Sequence, residues 1–157
     1  MALTKINFGG NQTALSASDI PTLSSANMPT GSVIQTKIDT KVTNVSGQSA
    51  DFDTGLAVDI TPTSTSNRLF ITLSASIYVT GTAQWWNKIY VDGSFVNDLE
   101  QQMYFTSAVR RITTSNFIYT PTSTNSINIK WRMVRASGTM NWGEDNQSMF
   151  MVQEVKQ

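Results

Sequence analysis

The chain of 157 residues contains no cysteine and no histidine. The first absence removes disulfides, thiolate metal sites and a cysteine nucleophile. The second removes imidazole zinc sites and every acid–base triad built on histidine. Charge is scarce too. Asp, Glu, Lys and Arg make up 14% of the chain and cancel to a formal net charge of zero, whereas an ordinary soluble domain carries about 25% charged residues. Ser, Thr, Asn and Gln must therefore cover the surface. Without clustered Lys and Arg there is little to hold a phosphate backbone, which argues against a nucleic-acid partner. Low net charge favours association over solitary solubility, so an assembled protein is expected. The opening MALTKINFGG has no apolar core of a signal peptide. No run approaches the ~20 apolar residues of a membrane span, so no membrane insertion is expected. Gly9-Gly10 lacks the following lysine and the strand–helix setting of a phosphate loop. Asn11, Asn44 and Asn146 each begin a glycosylation acceptor pattern; without a secretory signal all three are read as chance in an Asn/Ser/Thr-rich chain.

What is present is alternation. From Arg68 to Gly81, RLFITLSASIYVTG, the residues Leu69, Ile71, Leu73, Ala75, Ile77 and Val79 fall on every second position. Phe70, Thr72, Ser74, Ser76, Tyr78 and Thr80 lie between them. Successive side chains of a strand point to opposite faces, so this is one long strand with an apolar face, roughly 36 Å from end to end. It needs an equally long apolar surface opposite, which predicts the centre of one sheet in a two-sheet sandwich.

Residues 1–30 read differently. Leu3, Ile6, Phe8, Leu15, Ile20, Leu23 and Met28 are scattered without period, and Pro21, Pro29 and Gly9-Gly10 disfavour helix. Two readings stay open, a loose N-terminal arm or an extended arm that orders only against a partner or a sister subunit, with the apolar residues favouring the second; residues 31–157 are expected to form the head. In the head, Ser32 to Val42 alternates with Ile34, Ile38 and Val42 on one side, and Asn44 to Asp51 reads as a polar loop. Leu56, Val58 and Ile60 share a face before Pro62 ends their strand. Trp85, Asn87, Ile89 and Val91 alternate with Trp86, Lys88, Tyr90 and Asp92, and Asp92-Gly93 is a two-residue hairpin turn. Asn97 to Thr106 contains NDLEQQMYF, the only helix-tolerant run. Strands follow from about Val109 to Tyr119 and through Ile127, Ile129, Trp131 and Met133. A loop spans Met140 to Gln147, and a last strand carries Phe150 and Val152 on one face and Met149 and Met151 on the other. A TPTST loop occurs twice, after Ile60 and after Tyr119. Together these predict an all-β antiparallel sandwich of jelly-roll type.

Chemistry is thin. Trp85 and Trp86 must face opposite ways, so one enters the core and the other is free for a subunit contact or for stacking on a carbohydrate. Trp142, in the loop with Asn141 and Asp145, is a similar candidate, since loops carry binding more often than strands. Asp51, Asp53, Glu144 and Asp145 could hold a cation or act as a carboxylate pair, but they match no metal motif and read as solvated loop acids. Arg110-Arg111 and Lys130, Arg132 and Arg135 read as solvated strand edges that guard against pairing. No metal, no cofactor and no enzymatic activity are expected.

The order of an ALTKI arm, MPTGSVIQ, DTGLAVDITPTSTSNRLFI and a terminal MFMVQEV strand resembles small β-sandwich virion proteins of tailed bacteriophages, of tail-fibre, head-fibre or decoration type. The resemblance covers Met1 to Ile6, Met28 to Gln35, Asp53 to Ile71 and the last strand. It implies a homotrimer of jelly-roll heads in the virion, assembled in the host cytoplasm. The arm residues Leu3, Ile6, Phe8, Leu15 and Ile20 would attach to other virion proteins of tail or capsid. Longer fibres have a repetitive shaft that this chain lacks, which favours a capsid-bound or short-tail component. The expected role is adhesion to the host surface, with Trp85, Trp86, Asn141, Trp142 and Asp145 touching a host glycan. A capsid decoration protein and a free carbohydrate-binding module are the alternatives. Phe70 and Tyr78, on the second face of the long strand, are expected to form a subunit seam with Trp86.

Overall fold

The computed structural model describes residues 27–42, 44–48, 50–143 and 148–157. The arm positions Leu3, Ile6, Phe8, Leu15 and Ile20, and the loop acids Glu144 and Asp145, lie outside the described residues. Among those described there are ten strands and no α-helix: β1 (Val33–Lys41), β2 (Val45–Gln48), β3 (Phe52–Ile60), β4 (Arg68–Val79), β5 (Ala83–Val91), β6 (Ser94–Phe105), β7 (Val109–Tyr119), β8 (Ile127–Ser137), β9 (Met140–Trp142) and β10 (Ser148–Val155).

Alternating side chains sort these strands into two antiparallel sheets. Sheet A runs β1-β10-β4-β7; sheet B runs β3-β8-β5-β6. Among the described strands, six of the nine connections cross between the sheets, and only β5 and β6 are consecutive strands paired with each other. Two four-stranded layers wound in this order are a jelly roll. The outer two rows of sheet A are each interrupted at the same level. β9 continues the line of β10 along one edge of β4, and β2 continues the line of β1 beyond it.

The long alternating strand is the middle of sheet A, as its pattern requires. Leu69, Ile71, Leu73, Ala75, Ile77 and Val79 of β4 are buried. They face Leu56, Val58 and Ile60 of β3, Ile127, Ile129, Trp131 and Met133 of β8, and Trp85 and Ile89 of β5. Burying an aliphatic side chain of this size contributes about 1.5–3 kcal/mol, so the doubled inner face is the main cohesion of the domain. The Asp92-Gly93 turn has both residues at positive φ, 48° and 80°. That conformation matches the twist of the flanking strands, and glycine adopts it without steric cost.

Four expectations change. NDLEQQMYF is strand β6, because Leu99, Met103 and Phe105 all turn inward and are buried. The polar stretch after Asn44 contains strand β2, with Val45 packed against the core. The loop from Met140 begins as strand β9, with Met140 and Trp142 fully buried. Finally, the apolar side of β1 points outward: Ile38 and Val42 are exposed. The other side of β1 is polar because it meets the free edge of β3, where Asp39 Oδ2 accepts the Ala57 N–H at 3.0 Å and Lys41 Nζ donates to Thr54 O at 2.7 Å.

The two ends of the head sit side by side. Gly31 N donates to Lys156 O at 2.8 Å and Lys156 N to Ser32 O at 3.0 Å. The β3–β4 loop lies at this same end, since Arg68 opens β4 opposite Val155. The β4–β5 and β8–β9 connections lie at the far end, where Val79 stands opposite Met140.

Candidate functional site

Trp85 and Trp86 part as adjacent strand residues must. Trp85 is fully buried and Trp86 half-buried on the outside of sheet B. Trp85, Trp131 and Trp142, three of the chain's four tryptophans, show no exposure. Phe52 ties them together: its ring lies 5.8 Å from Trp85 and 6.4 Å from Trp142, and Trp131 lies 5.4 Å from Trp142, all edge-on. Such pairs add about 0.5–1.5 kcal/mol beyond burial. The expectation that Trp85 and Trp142 stack on a ligand is therefore corrected. Their faces are spent inside the sandwich, because β9 is a core strand and not a loop tip. Asn141, beside Trp142, is half-buried on the outer side of β9 opposite Tyr78.

The outer face of sheet A is the most unusual surface. Across β1, β10, β4 and β7 the registers set Thr36, Gln153, Phe70 and Ile118 in one row, Ile38, Met151, Thr72 and Asn116 in the next, and Thr40, Met149, Ser74 and Thr114 in a third. None of these residues is charged. Among the described residues, four of the seven exposed large apolar side chains, Ile38, Phe70, Ile112 and Ile118, lie on this face. Tyr78 closes it, half-buried, with the Arg110 guanidinium 5.3 Å from its ring.

The outer face of sheet B is built otherwise. Lys88 lies between Arg132 and Glu100, and Tyr90 between Lys130 and Phe95. Lys88 Nζ is 4.3 Å from the Phe95 ring centre and 5.8 Å from that of Trp86, and pairs with Glu100 at 2.8 Å. Arg132 sits 5.0 Å from the Tyr90 ring. Phe70 and Tyr78 thus lie on one outer face and Trp86 on the other, so these three do not form a single patch on one chain.

Two buried polar groups organise the interior. Glu154, on β10, shows no exposure. Its carboxylate accepts Thr63 N–H at 2.8 Å, Thr63 Oγ1–H at 2.9 Å, Asn67 Nδ2 at 2.7 Å and Gln35 Nε2 at 2.6 Å. Burial alone pushes the Glu154 carboxyl up; the hydrogen bonds from Asn67, Gln35 and Thr63 outweigh it and hold the group below the usual carboxylate range. Glu154 thereby fastens the first TPTST loop to sheet A, and its only sign in the chain is one acid in an apolar strand. Asn87 is equally buried. Its Oδ1 accepts Trp131 Nε1 at 3.0 Å and its Nδ2 donates to Ser115 Oγ at 2.7 Å, linking the two sheets.

The remaining candidates are occupied locally. Asp51 Oδ1 accepts Arg135 N at 2.7 Å, and Asp53 Oδ1 accepts Gly55 N at 2.8 Å. Among the described residues no group of three or more acidic side chains converges on a point that could hold a metal. A shallow cleft of about 350 Å³ lies beside the Glu154 loop, lined by Ile34, Thr63, Ser64, Ser66 and Asn67 with the last two residues of the chain. Its hydroxyls suit water as well as any ligand.

Neither a family model nor a curated protein sequence matches this chain. Among solved structures it is similar to the VP2 subviral particle of infectious bursal disease virus, at 18% identity and a TM-score of 0.48, over 80% of this chain and 34% of that one. The Gx strain of the same virus gives 16% identity and 0.46 over the same shares. Dimeric latent PorU from Porphyromonas gingivalis gives 8% identity and 0.39, over 77% of this chain and 13% of that one. The chain thus spans about a third of the length of the viral chains it matches.

Proposed function

We propose that this chain is a non-enzymatic structural component of a virion, of the tailed-phage kind that its sequence resembles. It acts as a jelly-roll head that assembles through its outer faces and is attached through residues 1–30. The observation that carries this reading is the outer face of sheet A: three rows across four strands without a charge, studded with Ile38, Phe70 and Ile118. A protein that lives alone in water rarely keeps such a face uncovered. Because Phe70 and Tyr78 lie opposite Trp86 across the sandwich, a seam between them is head-to-tail. Rings close by contacts of that kind, and a trimer is the smallest ring that fits the resemblance.

Burial of Trp85 and Trp142 leaves a free carbohydrate-binding module with Trp86 alone of its three rings. Adhesion to a host surface would fall to the far-end connections, at the opposite end of the head from Gly31. Placement in the particle separates a fibre or short spike from a decoration protein. Cryo-EM of the intact particle is expected to show the head either projecting from the tail or repeating on the capsid lattice. Deletion of residues 1–30 is expected to leave a folded head that no longer joins particles. Absence of the full chain from purified particles would overturn the reading.

A further inference from the structure

An exposed strand edge offers unpaired N–H and C=O groups to any other strand, and edges are ordinarily blunted by charge, proline, bulges or brevity. Among the described residues, each edge strand but one carries such a device along its length or is short. β1 has a register break between Val33 and Gln35 and bears Lys37, Asp39 and Lys41. β3 is broken between Asp53 and Ala57, with Gly55 at a φ of 74°. β6 is broken where it passes Lys88 to Tyr90, and bears Glu100. β2 has only four residues. β7 carries charge only at its start, Arg110 and Arg111, and has no proline or bulge beyond them. It runs against β4 from Tyr119 back to Val109 without a register break, and no other described strand lies on its far side. After Arg110 and Arg111 its remaining residues, ITTSNFIY, carry no charge.

We propose that the free edge of β7 pairs with β7 of a second copy, antiparallel across a two-fold axis at Ser115, joining two A sheets into one. Opposed residues of an antiparallel pair point to the same face, so the register can be tested residue by residue. A two-fold at Ser115 sets Ile112 of each copy against Ile118 of the other on the outer face, and Thr114 against Asn116. Ile112 and Ile118 are 63% and 49% exposed in the single chain, so the pairing covers two apolar side chains that the fold leaves in water. Centring the pair on Thr114 instead would set Arg110 against Ile118 and Ile112 against Asn116, losing both apolar matches. At Ser115 the two Arg110 side chains stand at opposite ends of the ladder, about 33 Å apart at the usual rise, so like charges do not meet. The uncharged outer rows then continue from one copy into the next. This pairing is separate from the ring contact through the outer faces and holds whether or not the chain belongs to a virion.

Light scattering on the full chain tests it. The wild type is expected to contain an even number of chains. Because Ile118 also shares the outer-face row of Phe70, the variants are compared in a Phe70→Lys background, where Ile112→Lys with Ile118→Lys sets lysine against lysine twice and should halve the mass. Ile112→Lys with Ile118→Glu sets lysine against glutamate twice and should restore it. Both positions are exposed, and circular dichroism checks that the variants fold. Phe70→Lys, on the same face but away from the edge, reads the ring contact alone and should leave the factor of two in place. Should the double-lysine variant unfold, cysteine pairing decides, because the chain has no cysteine of its own. An equal mixture of Thr114→Cys and Asn116→Cys chains should give a disulfide-linked pair under oxidation. An odd or single-chain mass for the wild type overturns the proposal, as does equal mass for the two double variants or no linked pair in the mixture.

Discussion

On sheet A, Phe70 stands between Ile118 and Gln153; on sheet B, Lys88 stands between Arg132 and Glu100. Both residues occupy the outward position of a central strand, with the same alternation behind them and the same core beneath. The difference lies in what it would cost to dry each surface. On sheet B the rings of Phe95, Trp86 and Tyr90 already have cations beside them, and a covering chain would have to strip water from Lys88, Arg132 and Glu100. Removing ions from water is expensive unless each is paired again in good geometry. On sheet A there is no ion to desolvate in three successive rows. Two surfaces of similar shape can therefore differ in their fitness for contact because of polarity alone.

The comparison can be broken at several depths. The deepest cut is the shared core. Trp131→Ala removes a fully buried ring that touches Trp142 and donates to Asn87. It should cost about 3–5 kcal/mol in denaturant unfolding and erase both faces together. Next is the clamp at one end of sheet A. Glu154→Gln leaves buried donors of Thr63, Asn67 and Gln35 without their carboxylate and should cost about 1–3 kcal/mol at neutral pH. The pH dependence follows from the sign of the shift. Glu154 titrates lower in the fold than in the unfolded chain, where its value is that of an ordinary glutamate. Its stabilising effect is thus complete above that value and lost as pH falls through the lower, folded value. The gap in melting temperature between wild type and Glu154→Gln should accordingly shrink in acid. Shallower still, Phe70→Lys should change the stability of a dissociated head by no more than about 0.5 kcal/mol, yet lower the assembly mass read by light scattering. The smallest effect is expected from Lys88→Ala on sheet B. A surface ion pair of this kind contributes about 0–1 kcal/mol, so the stability of the dissociated head should barely change.

Much of this was readable in the chain. The β4 strand, the Leu56–Val58–Ile60 face, the Ile127–Met133 face and the Asp92-Gly93 turn all follow from strict period-two patterning, because each apolar row meets an apolar row opposite. The missed elements share a physical cause. In β6 the inward row is Leu99, Gln101, Met103 and Phe105; Gln101 stays exposed at the sheet edge, where its Oε1 accepts the Ser115 hydroxyl, and a polar residue in that row hides the period. In β1 the pattern is present but inverted, since its inner side bonds to the edge of β3 instead of packing on it. β9 is too short to show any period, so Trp142 looked like a loop aromatic although it is core. Glu154 was invisible because its partners come from residues 63, 67 and 35, which only the fold brings together. The sorting of Phe70 and Trp86 to opposite outer faces likewise needed the topology, since alternation tells inside from outside but not one sheet from the other.

The adjacency of Gly31 and Lys156 has a mechanical consequence. Tension applied between those two points opens the β1–β10 ladder like a zip, loading one pair of hydrogen bonds at a time. Tension between Gly31 and the far-end connections runs along the strands instead, and loads the pairs from Gln35–Glu154 to Lys41–Ser148 together in shear. The same head is thus soft when pulled by its two neighbouring ends and stiff when held at one end and dragged by the other.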